Sequence, residues 1–127
     1  MIDSIFQLTN YQSAKKMMDV THVRQLALTA NLANVETPGY KRIDLNPNFH
    51  AQLKRAIGDR DLAQIQSFQP KLQVDQTALA RNRDGNTVQL ETELVNMTQN
   101  SLEHSLEARL VTGTIKYLKT AITGRPA

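Results

Sequence analysis

The chain has no cysteine and no tryptophan in its 127 residues, and aromatic residues make up only 5%. The first absence excludes disulfides, thiolate metal sites and a cysteine nucleophile, and leaves the redox compartment open. The second argues against a thick aromatic core. Hydrophobic residues reach 40%, so the available core is Leu, Ile, Val, Met and Ala carried on helices. One modest domain is expected, and packing against neighbours would help it stand. Charge of one sign is also scarce: 15 basic and 12 acidic residues leave +3. The nearest basic clusters, Lys15-Lys16, Lys41-Arg42 and Lys54-Arg55, lack interleaved aromatics, so they read as solvated face rather than nucleic-acid surface. There is no long apolar run of membrane-spanning length. No basic segment followed by an apolar one marks a cleaved signal peptide. If the protein acts outside the cytoplasm, the expected route is one without such a signal.

What the chain does have is helical periodicity at both ends. From Tyr11 to Asn34 there is no Gly or Pro, and Met17, Val20, Arg24, Ala27, Asn31 and Asn34 recur in steps of three and four. Met18, Thr21, Leu28, Leu32 and Val35 lie beside them, giving a wide, mixed face. Ile2, Ile5 and Phe6 can extend the helix backward, with Asp3 or Ser4 as its cap. Thr37-Pro38-Gly39-Tyr40 stops it: Pro38 drives Thr37 out of the helical region, and Pro-Gly fits the centre of a type II turn. Asn34 sits where left-handed geometry is tolerated.

The middle is less regular. Asn46-Pro47 predicts a cap and first helical residue, with Phe49, Leu53 and Ile57 on one face and Gly58 at the end. Residues 59–83, rich in Gln and broken by Pro70, read as a partly extended, exposed connection. Asp84-Gly85 marks a turn, and Asn86 with Gln89 fits a capping box for the last helix. Leu94, Met97, Ser101, His104, Ala108, Val111, Ile115, Leu118 and Ile122 then alternate in steps of four and three. Val95, Leu102, Leu106, Leu110, Gly113 and Tyr117 form a second stripe. Two stripes imply contacts on more than one side. Glu91 and Glu93 open this helix and Lys116 and Lys119 close it, complementing its dipole.

The expected fold is all-α: long N- and C-terminal helices paired as a coiled coil or helical hairpin, with a short helix and an irregular extended middle segment. The expected parts of this single domain are 1–40, the first helix and its turn; 41–83, the middle with a short helix near 47–57; and 84–127, the last helix. No residue set supports catalysis, a cofactor or a metal. His22, His50 and His104 have no ligand spacing. Glu91 and Glu93 do not face each other. The serines lack an elbow context and the glycines are isolated. Gly113, inside a helix at a cost of up to about 1 kcal/mol, suggests close approach of another helix.

Asn31-Leu32-Ala33-Asn34 together with Thr37-Pro38-Gly39-Tyr40 resembles the N-terminal signature of the bacterial flagellar axial proteins, the rod and hook family. Asp84-Gly85-Asn86-Thr87-Val88, with Leu90, Glu91 and Asn100-Ser101-Leu102, is similar to the C-terminal motif of a proximal-rod member of that family. The resemblance runs nearly end to end and is weak over 44–83. It implies a structural subunit of the proximal rod in the periplasm, which polymerises through its terminal helices into the drive shaft and leaves by flagellar type III export. The partners it implies are further copies of the chain, the rod protein FlgC, the junction protein FliE and the export apparatus, with the MS-ring protein FliF close by. No nucleic acid or small-molecule substrate is implied. The turn residues are expected to fix the exit of the first helix. Leu94, Met97, Ala108, Val111, Ile115 and Leu118 are expected to form the assembly seam, most of them against that helix. Competing readings are another rod protein such as FlgC, a soluble helical adaptor and a basic nucleic-acid binder, the last disfavoured by the near-balanced charge.

Overall fold

The computed structural model describes residues 2–81 and 83–125, with side chains from residue 8 onward. Two long helices, α1 (Ile2–Ala33) and α4 (Leu90–Thr123), enclose in sequence a small middle module: β1 (Ile43–Leu45), α2 (Pro47–Gly58), α3 (Leu62–Ser67) and β2 (Leu72–Val74). The two long helices pack against each other, as the periodicity predicts. α1 is the central layer, with α4 against one side and β1, α3 and β2 against it as well. Asp3 and Ser4 fall within the span of α1, and their side chains lie outside the described residues.

The middle module has more structure than its composition suggests. Asn46 caps α2 by accepting from the Asn48 N–H, and Pro47 takes the first helical position. In the stretch read as an extended connection, Asp61 caps α3 through the Gln64 N–H. β2 pairs antiparallel with β1, with Ile43 opposite Val74 and Leu45 opposite Leu72. Val20, Leu45, Phe49 and Leu53 form the core between α1 and this module, joined by Val23, Ile57 and Phe68. Phe49 and Phe68 meet edge to face at 5.5 Å between centroids, the arrangement that ring quadrupoles favour. Ile65 of α3 is fully buried. These contacts join residues too far apart for any local periodicity to reveal.

The packing of α4 inverts the usual rule. Its buried residues are Glu93, Asn100 and Glu107, seven apart, at 0%, 1% and 5% exposure. Its large apolar residues face outward, with Leu102 at 72% and Leu106 at 60% exposure. A seven-residue repeat keeps one face on a partner helix, and here that face is polar. On α1, Ala14, Thr21 and Leu28 recur at the same interval and are buried.

Candidate functional site

The two loops that carry the sequence motifs interlock. Beyond the end of α1 the carbonyls run out of helical partners, and the Asn86 amide reaches three of them: Val35 O at 3.0 Å, and Asn34 O at 2.9 Å and Thr37 O at 2.8 Å, which also accept from the Thr37 and Tyr40 N–H groups. Its Oδ1 accepts from the Val88 N–H at 2.7 Å. Asn86 is therefore not the cap of α4. That position belongs to Gln89, which makes no side-chain cap bond; the Asn86 Oδ1, the atom a cap would use, is taken by the Val88 N–H. The backbone completes the lock. Gly39 N–H donates to Asp84 O at 2.8 Å, and Thr87 N–H to Tyr40 O at 3.1 Å. Arg42 N–H donates to Thr87 Oγ1 at 2.7 Å, and Lys41 Nζ to Gly85 O at 2.9 Å.

The Thr37–Tyr40 turn closes through Tyr40 N–H to Thr37 O at 3.2 Å, with Gly39 at φ +73°. That is the second central position of a type II turn. Gly85 also has positive φ, and a Cβ on it would lie 3.9 Å from the Gly39 Cα, so the two glycine turns face each other. Asn34 keeps a negative φ and acts through its side chain, donating to Ala30 O at 2.8 Å. Leu32 is half-buried, Ala33 and Pro38 are exposed, and Val88 is buried beneath the lock.

Beside the lock lies a charge cluster that no spacing announces. The Arg42 guanidinium divides its donors among three carboxylates: Glu93 at 2.5 Å, Asp75 at 2.7 Å and Asp44 at 2.8 Å. Arg24 also reaches Asp44, at 3.3 Å. Asn31, fully buried, donates to the other Glu93 oxygen at 3.1 Å and to Ile43 O at 2.8 Å, while its Oδ1 accepts from Ile43 N–H at 2.9 Å. One clasp thus joins α1, β1, the segment after β2 and α4. Burial alone would lower the Arg42 pKa, but its bonds to Glu93 and Asp44 outweigh that and hold it above its ordinary value. Burial pushes Asp75 up, yet hydrogen bonds from Thr77 and the charge of Arg42 bring it below the usual carboxylate range. Tyr40 is raised by burial and by the Glu93 charge. Glu93, expected only to complement the helix dipole, is the carboxylate at the centre of the clasp.

Along α4 the structure places Met97, Ala108 and Val111 half-buried, and Leu94, Ile115 and Leu118 on the more exposed flank. His104 is half-buried in the seam. Among the described residues nothing lies within 4 Å of a Cβ added at Gly113. Val95, Leu102, Leu106, Leu110 and Tyr117 are all exposed. Beside them a groove of about 670 Å³ is lined by Leu94, Met97, Thr98, Ser101, Leu102, Ser105 and, from α1, Gln25. Among the described residues there is no group of three metal-ligating side chains, and no helix is long and apolar enough to cross a membrane.

No protein-family model matches the chain. It is similar to the flagellar basal body rod protein FlgB of Borrelia hermsii, at 30% identity over 121 residues covering 81% of this chain and 87% of the relative. The FlgB protein of Aquifex aeolicus (strain VF5) is 30% identical over 116 residues, covering 87% and 90%. That of Escherichia coli (strain K12) is 27% identical over 132 residues, covering 91% and 93%.

Proposed function

The chain belongs to the family of flagellar basal body rod proteins FlgB, and on that premise we propose that it is a rod subunit that polymerises through its open α4 face and transmits torque. Its place is the flagellar basal body, and its role there is structural. The observation that carries the proposal is the inverted helix: α4 turns its acids and amides toward α1 and its leucines outward. Exposed apolar surface of this extent marks an interaction site. A head-to-tail contact that does not close generates a helical filament, the form a shaft requires. Seam residues Leu94, Met97, Ala108, Val111, Ile115 and Leu118 then lie between neighbouring subunits as well as along α1. We extend the proposal to partners: other copies of the chain, the neighbouring rod protein FlgC, the junction protein FliE and, at the base, FliF, reached through the flagellar export apparatus.

The test is Leu106→Asp, introduced into cells that lack the native chain. Leu106 is exposed in the isolated subunit, so the variant should keep its helix content while rod assembly and swimming are lost. Normal swimming with intact rods would overturn the assignment of this face.

A further inference from the structure

Two glutamates on the inner face of α4 meet opposite fates. Glu93 is fully buried and receives a guanidinium and an amide. Glu107, two heptads on and 5% exposed, receives only the Thr21 hydroxyl at 2.9 Å. Among the described residues no cation pairs with it. The third member of this layer is His104, whose Nδ1 lies 3.0 Å from Thr21 Oγ1. The Thr21 hydroxyl has one proton to give and also lies 3.0 Å from Met18 O of its own helix; when it donates into the layer instead, the layer forms a chain with two directions. With Glu107 ionised, His104 Nδ1–H donates to Thr21 and Thr21 donates to the carboxylate. With Glu107 protonated, the carboxyl donates to Thr21 and Thr21 donates to a bare His104 Nδ1, the imidazole proton then residing on Nε2. Both arrangements satisfy every group, but only the second spares the seam a buried, unpaired charge.

We propose that the Glu107–Thr21–His104 layer is a proton-operated latch, which tightens the α1–α4 hairpin when Glu107 takes up a proton and loosens it when the proton leaves. The surroundings favour the neutral form. Burial raises the Glu107 pKa, the Thr21 hydroxyl lowers it, and the Glu103 charge raises it again, leaving it above the ordinary carboxylate value. The elements that meet at this layer are α4 and α1. α4 supplies Glu103 and His104. α1 supplies the Thr21 hydroxyl, and its exposed His22 lines the adjoining cavity with Asn100 and His104. Asp19 and Lys15 of α1 are exposed, and Lys16 is committed to the carbonyls of Gln66 and Phe68. The sign follows from linkage. The closed-state pKa lies above the open-state one, so the latch contributes fully below the open-state value and is lost as pH rises through the closed-state value.

The absence of native cysteine allows a direct test on the full chain. Spin labels at Lys15→Cys and Arg109→Cys, both exposed, report the separation of the helices between about pH 5 and about pH 8. The ratio of short to long distances should fall with rising pH, by about tenfold for each unit separating the closed and open pKa values. Glu107→Gln and Glu107→Leu should hold the short distance throughout, and His104→Gln should keep the pH response. A Glu107→Gln chain that responds like its parent overturns the latch. So does a parent that is open, or equally closed, at every pH. Loss of the response in His104→Gln overturns it too, by making the imidazole the proton site.

Discussion

Arg42 holds three carboxylates on one guanidinium while only 8% exposed. Removing one partner of a buried ion pair leaves the other uncompensated, at a cost of about 3–5 kcal/mol. Arg42→Met should therefore destabilise the chain by about that amount in denaturant unfolding, and Glu93→Leu in the same chain should restore a large part. Asp75 adds an acid dependence. Its folded pKa lies below the ordinary value, so its contribution is present above the unfolded-state value and is lost as pH falls through the folded one. Asp75→Asn should lower stability at neutral pH and make the acid limb of the stability curve shallower. Asn86→Ala strands the Val35 carbonyl and takes the second donor from those of Asn34 and Thr37, and should cost about 1–3 kcal/mol. Gly39 and the Asn31 and Asn86 motifs are visible in sequence, but the bond between them is not. A side chain that serves a helix end some fifty positions upstream leaves no local signature, and a capping box read from neighbours alone assigns Asn86 to the wrong helix.

At the scale of the element, α4 shows where periodicity stops being informative. Its length and its two stripes are legible because steps of three and four persist from Leu94 to Ile122. Which stripe faces α1 is not. The hydrophobic rule turns leucines toward the partner helix, whereas this subunit buries Glu93, Asn100 and Glu107 and leaves Leu102, Leu106 and Leu110 outside. The acids and amides become acceptable inside through Arg42, Asn31, Gln25 and Thr21, none of which belongs to α4. Asn100 marks the limit of that compensation: its Nδ2 donates to Thr21 O and Gln25 Oε1, yet its buried Oδ1 has no partner. Asn100→Leu should thus stabilise the isolated hairpin by about 1 kcal/mol, read as a higher thermal midpoint. It should also weaken the preference for a single register, since a polar residue at such a position specifies alignment at the expense of stability.

Across the described residues, the side-chain networks gather toward one end of the hairpin. The lock, the clasp and the β1–β2 pair gather around residues 31–45, 72–75 and 84–93, whereas the side-chain bonds described here between α4 and α1 run from Glu93 to Glu107. Amide hydrogen exchange should therefore be slowest near Asn31, Ile43 and Glu93 and fastest from Ile115 to Thr123. Uniform protection along α4 in the isolated chain would contradict this gradient.

That asymmetry bears on the order in which the chain can acquire its shape. Every helix-to-helix bond of α4 reaches far upstream: Glu93 to Asn31 across 62 positions, Asn100 to Gln25 across 75, Glu107 to Thr21 across 86. Contacts of such span close slowly, because the entropy of the intervening loop is lost before they form. α1 is made first and can gather the middle module onto Val20 and Val23, but Thr21 and Gln25 meet their α4 partners only once the final third of the sequence has followed. The hairpin is thus the last tertiary event open to a growing chain. Until it occurs, both long helices remain separate strands of a narrow thread rather than one thickened rod.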